Sequence, residues 1–290
     1  MLRFRKFHRT ELRMKIIESG KDIYDKKYSA EVPTDITLFN KIKDLDFGEY
    51  SLVNFPSEKT FHRDGRGTTK PVQKIVDDIT SRQDKKYIFF CQHIYVHRIN
   101  WYNNIVFTPH LWEGCPVNTK SVPHYSLNVK DLNEHNQDIL FSFVGASHTH
   151  PIRKKLISDF DNCINTGGWM KKDKLDLFFN LMGRCKFSLC PRGTGIGTIR
   201  IFESMAMGRI PVIISNGFKP PLDWMLDWNE FSVKIPEEKY SEIPNILSKY
   251  TEEQIIAMSK KTKEVWEEYF SPDNMHKVIT LEMKELLNHV

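Results

Sequence analysis

The chain has 290 residues, of which 40% are hydrophobic and 27% charged, and carries a formal net charge of +5. That length and composition suit a soluble globular protein of two domains. The charge is too mild and too dispersed for a nucleic-acid partner. No window approaches the roughly 18 apolar residues of a membrane span, and five cysteines without a CxxC pair fit neither a disulfide framework nor a zinc site.

The N-terminus, MLRFRKFHRTELRMK, is basic and lacks an apolar run. With reduced thiols, it leads to the expectation of a cytoplasmic protein without signal peptide or membrane anchor. Further along, a loop around Gly65 and Gly67 precedes a short helix expected over Lys70 to Ile79. Tyr87 to Phe90 and Ile105 to Phe107 read as buried strands separated by loops rich in His, Asn and aromatics.

The second half is punctuated more sharply. Ile139 to Val144 is a continuous apolar run closed by Gly145, which predicts a buried strand. Helices are expected from Ile152 to Phe160, after Pro151, and from Asp173 to Met182. Lys186 to Cys190 reads as a strand broken by Pro191-Arg192-Gly193. Thr198 to Met207 reads as a helix ended by Gly208, and Ile210 to Ser215 as a β-branched strand. Phe231 to Ile235 is one more short strand, and from Glu237 the chain is mostly helical. Strands alternating with helices predict an α/β fold with parallel sheets. The expected division is 1–136, 137–270 and a C-terminal segment 271–290 crossing back to the first domain, with the boundary in the polar stretch Asn133 to Asp138.

Phe187 to Gly208 carries the chemistry: a strand, a loop with Gly193, Gly195 and Gly197, and a helix. Such loops lie beyond the carboxyl ends of strands, where ligands of α/β sheets bind. The glycines let a phosphate approach the backbone, and the helix start offers it N–H groups. The spacing is neither G-x-G-x-x-G nor that of a P-loop. The helix is apolar nearly all round, yet holds Arg200 and Glu203 three residues apart on one face. Either they pair with each other, or both face a polar ligand, Arg200 on phosphate and Glu203 on ribose hydroxyls. Arg192 is a second phosphate contact.

Cys190-Pro-Arg-Gly193, Ile199-Arg-x-x-Glu203, Gly208-x-Ile-Pro-Val-Ile-Ile-Ser215 and Leu226-Asp-Trp-x-x-Phe-Ser232 together resemble the exostosin family of glycosyltransferases. Phe141-Ser-Phe-x-Gly145, followed by Ile152-Arg153, is similar to the start of that family's second half. The resemblance covers roughly Ile139 to Pro236. It implies a GT-B fold of two Rossmann-like domains facing a cleft, a UDP-sugar donor, a glycan acceptor, inversion at the anomeric carbon and no obligatory metal or other cofactor. It places Arg153, Arg192, Arg200 and Glu203 at donor-binding positions, with Gly193, Gly195, Gly197 and Thr198 forming the loop between them. Members are commonly longer and membrane-anchored. A short soluble relative, bacterial or viral, is implied instead, and viral relatives that transfer xylose make UDP-xylose the first expectation for the donor. The alternatives are a non-catalytic nucleotide- or glycan-binding protein with a degenerate fold, and a nucleotide-sugar epimerase of similar build.

An inverting transfer also needs a general base from the first domain. Asp64, in Phe61-His-Arg-Asp-Gly-Arg-Gly67, is the first choice. His93, at the end of a strand, and Glu113, beside Trp112, are the others. His148 and His150 follow Gly145 and are placed to touch phosphate or acceptor. Asp159-Phe-Asp161 spells D-x-D but reads as a solvated helix end. Trp224, Asp227 and Trp228 follow the Gly217 to Pro221 loop, either packed or stacked on ligand.

Overall fold

The computed structural model describes residues 17–18, 34–54, 57, 61, 69–81, 85–126, 129, 136–168 and 172–288. The Asp64 candidate, its glycine loop and part of the expected Asn133–Asp138 boundary lie outside these residues.

The first sheet contains β1 (Ile17–Glu18), β2 (Tyr50–Asn54), β3 (Lys86–Phe90), β4 (Ile105–Thr108) and β5 (Thr119–Ser121), in that spatial order and all parallel. Among the described residues, α1 (Thr34–Ile42) and α2 (Lys70–Thr80) accompany it. Successive residues of a strand point to opposite faces, and here both faces are buried. Leu52, Ile88, Phe90, Ile105 and Phe107 enter one core with α1, while Val53, Tyr87, Phe89, Cys91 and Val106 enter the other with Val72, Val76 and Ile79 of α2. Each fully buried Phe contributes roughly 1.5–3 kcal/mol.

The second sheet contains β6 (Ile139–Gly145), β7 (Cys163–Asn165), β8 (Cys185–Pro191), β9 (Ile210–Ile214) and β10 (Val233–Lys234), in the order β10-β9-β8-β6-β7. All its pairings are parallel. The helices between strands are α3 (Pro151–Asp159), α4 (Lys172–Arg184) and α5 (Arg200–Ala206). Gly208, with φ +63°, takes the left-handed turn that ends α5 and leads into β9. After β10 come α6 (Ile243–Leu247), α7 (Glu252–Val265), opened by a Thr251/Gln254 capping box, and α8 (His276–Asn288).

The order reverses between β6 and β8. From β6 the chain steps outward to β7, then crosses back over β6 to β8. A ligand crevice opens at such a switch point, beyond the carboxyl ends of the two strands.

One core joins the two sheets. Phe90 and Phe107 of the first sheet share a cluster with Ile201, Phe202, Met205 and Ile213 of the second, and with Val278, Ile279 and Met283 of α8. Lys120 of β5 pairs with Glu285 of α8 at 3.0 Å and with Glu282 at 3.8 Å, so the last helix is tied by charge to the first sheet. Among the described residues, no helix is long and apolar enough to cross a membrane.

Candidate functional site

The loop that follows β8 is held against the segment that follows β6 by Arg153 and, at 3.4 Å, by Thr194 Oγ1 on the Thr149 carbonyl. Arg153, on the first turn of α3, donates from Nε to the Arg192 carbonyl at 2.9 Å and from Nη2 to the Pro191 carbonyl at 3.0 Å. Those carbonyls begin the glycine loop. The guanidinium also lies 5.4 Å from the Phe143 ring centroid. Burial, and secondly the charge of Arg200, lower its pKa to about 10. Arg153 is therefore charged at neutral pH, and it stands among other cations rather than beside a carboxylate.

Arg192 remains part-exposed at the mouth of the loop, its amide fixed to the Ile214 carbonyl of β9 at 3.0 Å. Arg200 opens α5. Its Nη2 donates to the Val144 carbonyl at 3.0 Å and its guanidinium lies 3.9 Å from the Phe178 ring centroid. Thr198 is buried, and its carbonyl accepts from Ile201 at 3.3 Å. Three guanidinium groups thus gather where β6 and β8 end, and those of Arg153 and Arg192 make a field that favours an anion.

Glu203 requires a correction. The reading in which it meets ribose hydroxyls needs an accessible carboxylate. Instead Glu203 is 0% exposed, and its Oε2 stands 2.9 Å from Arg200 Nη1. Arg200 is 7% exposed. The two face each other because a buried charge is tolerated only when paired. Glu203 acts as the counter-ion of Arg200, so the uncompensated positive charge near the loop is that of Arg153 and Arg192.

The glycines also have a different neighbour from the one expected. A Cβ on Gly197 would collide with the Pro109 carbonyl of the first sheet. One on Gly195 would collide with the His110 ring and come within 2.8 Å of Ile94 Cγ2. One on Gly193 would meet the Arg153 guanidinium at 3.3 Å. Gly195 and Gly197 are small because the first sheet presses on them, whatever else approaches the loop.

His110 is the residue that sequence reasoning missed. It is buried two positions past β4, and its Nδ1 accepts from the Gly197 amide at 3.2 Å. Ser215 Oγ donates to the Ile196 carbonyl at 2.9 Å, holding the same loop from β9. A lone histidine after a strand carries no local mark, and its partner is 87 positions away.

The base candidates separate. His93 is buried, stacked on Phe61 at 4.1 Å between ring centroids, and its Nδ1 accepts from the Tyr95 amide at 3.2 Å. These are the surroundings of a core histidine, and a closed, stacked ring is poorly placed to meet an acceptor hydroxyl. Glu113 is exposed at the seam. Its amide donates to the Gly217 carbonyl at 3.1 Å, and Trp112 forms an antiparallel bridge with Phe218. Trp112 is 43% exposed, with an edge toward His97.

Around the crevice, His150 caps α3 by accepting from the Ile152 amide at 3.4 Å, and its Nδ1 stands 3.7 Å from Glu237. His148 is exposed. Asp159 accepts from the Tyr240 hydroxyl at 2.9 Å at the exposed end of α3, as a solvated helix end does. Trp228 is packed, donating to the Pro221 carbonyl at 3.1 Å and stacked on Phe270, whereas Trp224 is 48% exposed. Among the described residues, no three His, Cys, Asp or Glu side chains are grouped so as to hold a metal ion.

A family model, the Exostosin GT47 domain, matches residues 79–250. The chain belongs to the exostosin GT47 family. The matched region runs from the end of α2 through both strands of the switch point and the whole glycine loop. Exostosin-1b of Danio rerio is 32% identical over 111 residues, 38% of this chain and 15% of that protein. A probable glycosyltransferase of Arabidopsis thaliana is 25% identical over 251 residues, 76% of this chain and 47% of its own length. The chain thus spans less than half the length of these curated relatives. Among solved structures, TarM superposes with a TM-score of 0.43 at 10% identity, over 86% of this chain and 57% of that one. A glycosyltransferase from Rickettsia africae ESF-5 gives 0.40 at 10% identity, over 95% and 98%. At such scores the GT-B assignment rests on this GT47 chain's own two parallel sheets, whose carboxyl-end loops meet at one seam.

Proposed function

We propose that this chain is an inverting, metal-independent glycosyltransferase that moves a sugar from a UDP-sugar, with UDP-xylose first among the donors, to a hydroxyl of a glycan acceptor. The observation that carries the reading is the gathering of Arg153, Arg192 and Arg200 around the Arg192–Gly197 loop at the β6/β8 switch point. Family membership supports the reaction class. The second sheet, in a domain of about 137–270, takes the donor. The first, within about 1–136, presents the acceptor, and the segment 271–290 returns to it.

Departure of UDP concentrates negative charge on the β-phosphate. Preorganised cations stabilise that charge more in the transition state than in the ground state, which is how this cluster accelerates the reaction without a metal. Arg192, part-exposed, is the group that contacts the diphosphate, while Arg153 fixes the loop and adds field, and Arg200 holds the end of β6 beside it. The acceptor hydroxyl must lie in line with the anomeric carbon, opposite the leaving group. Its proton passes to a carboxylate of the first domain. Glu113 is the described candidate, exposed beside the Gly217 loop, with Asp64 the other carboxylate proposed. All five cysteines are free thiols, which supports a reducing, cytoplasmic compartment.

The test is release of UDP from a panel of UDP-sugars by the purified protein, with and without oligosaccharide acceptors. Turnover of at least one donor is expected, and Arg192→Ala should lower it by roughly 10²–10³, as for loss of one charge-stabilising donor. Absence of both UDP binding and turnover across the panel would sink the proposal.

A further inference from the structure

The Arg192–Gly197 loop is held from three directions. Arg153 takes the carbonyls of Pro191 and Arg192, Ser215 takes that of Ile196, and His110 takes the amide of Gly197. The first two holds come from the loop's own domain. The third comes from the first sheet, across the seam.

His110 fits that place closely. Its own amide donates to Thr108 Oγ1 at 3.1 Å, anchoring it to the end of β4. The ring lies where a side chain at residue 195 would have to go, with Nδ1 2.7 Å from that Cβ position. With Nδ1 occupied as an acceptor, the neutral ring carries its proton on Nε2. One imidazole therefore ties the carboxyl end of β4 on one side to the glycine loop on the other. This arrangement requires an uncharged ring, since a protonated Nδ1 turns a donor toward the Gly197 N–H. The groups facing the ring keep it uncharged: burial dominates, and His124, His93 and Arg192 all oppose a further positive charge.

We propose that His110 is a positioning residue of the donor site, which locks the Arg192–Gly197 loop to the first sheet so that the phosphate-facing groups stand assembled before the donor arrives. This rests on the reading of that loop as the UDP-sugar site. Removing the ring leaves a buried N–H unpaired at the base of the loop, and the loop must then be ordered by the donor itself. The cost appears in donor binding, because part of the binding energy is diverted to ordering.

Isosteres separate positioning from bulk. Asn at position 110 keeps an acceptor near the place of Nδ1, while Gln keeps a polar atom near the place of Nε2 and loses the acceptor for Gly197. In calorimetry with UDP, His110→Asn is expected within about threefold of the wild type. His110→Gln and His110→Ala should bind more weakly by on the order of tenfold or more. Their donor KM should rise more than kcat falls. Equal losses in the Asn and Gln variants, or wild-type affinity in His110→Ala, overturn the proposal. If the variants do not fold, the ¹⁵N shifts of the His110 ring in the wild-type protein decide. An unprotonated Nδ1 with a protonated Nε2 at neutral pH, together with slow exchange of the Gly197 amide, supports it. An Nδ1–H tautomer or a charged ring overturns it. A wild type that binds no UDP overturns the donor reading instead, and leaves the ring measurement to report on the lock alone.

Discussion

Arg200 Nη1 and Glu203 Oε2 stand 2.9 Å apart within the buried helix α5, and the same guanidinium covers the Phe178 ring and caps the Val144 carbonyl. An ion pair in that position is costly to half-remove. Arg200→Ala or Glu203→Ala strands one charge in the core, and each is expected to lower stability by about 3–5 kcal/mol. The double variant Arg200→Met/Glu203→Leu should lose much less than the sum of the single changes. Urea unfolding of the three variants checks this, and additive losses would speak against the pair as a unit.

The glycines of the Arg192–Gly197 loop differ in what stands over them. Gly197→Ala drives a methyl into a backbone carbonyl, that of Pro109, and Gly195→Ala drives one into the His110 ring. Neither neighbour has space to yield, so each variant should lose about 1–3 kcal/mol and its UDP affinity. Gly193→Ala meets the Arg153 guanidinium at 3.3 Å and the Thr149 hydroxyl at 3.6 Å, no closer, and should cost under about 1 kcal/mol. Thermal unfolding alongside UDP titration ranks the three, and an equal effect at 193 and 197 contradicts the ordering.

His124 sets a dependence on acid. Its Nε2 is shut from solvent without a hydrogen-bond partner, and burial pushes its pKa down to about 4 from an ordinary 6.5. Between these values the unfolded chain binds a proton that the folded chain refuses. Stability contributed by the neutral ring is therefore present above pH 6.5 and falls as the pH drops toward 4, by at most about 1.4 kcal/mol per pH unit. His124→Phe should flatten that part of the stability profile in denaturant melts. An unchanged slope would remove His124 as its cause.

Glu282 acts in the opposite sense. It is buried beside Lys120, near the Leu222 amide at 3.4 Å, and burial raises its pKa to about 7 from 4.5. The folded state holds this proton between pH 4.5 and 7 where the unfolded state has lost it. The resulting stability is full below 4.5 and is lost as pH rises through 7. Glu282→Gln should thus gain on the wild type as the pH is raised from about 5 to 8, while Lys120 keeps Glu285 at 3.0 Å. Urea midpoints at the two pH values test the sign.

The elements that could be read in advance are those whose evidence is local. Ile139 to Val144, Lys186 to Cys190 and Ile210 to Ser215 are long apolar runs cut by Gly or Pro, and they correspond to β6, β8 and β9 within a residue or two. β1, β2, β5 and β7 were not anticipated. None of them holds a run of three apolar residues, unlike Tyr87 to Phe90 or Ile105 to Phe107, and they exist as strands because a neighbour pairs with them. The helix expected from Thr198 is regular only from Arg200, because its first residues are tied by tighter turns to Thr198 and Ile199.

What the sequence by itself determined is the local order of the second half: a strand, a glycine loop and an apolar helix with two charges in it, since hydrophobic runs and backbone punctuation act over a few residues. What only the tertiary structure decided is what those residues face. Arg200 and Glu203 turned to each other because burial forbids an unpaired charge. The glycines gave up their space to Pro109 and His110 because two sheets meet there. A histidine 87 positions away became part of the loop, because contact across a domain seam leaves no periodicity in either segment.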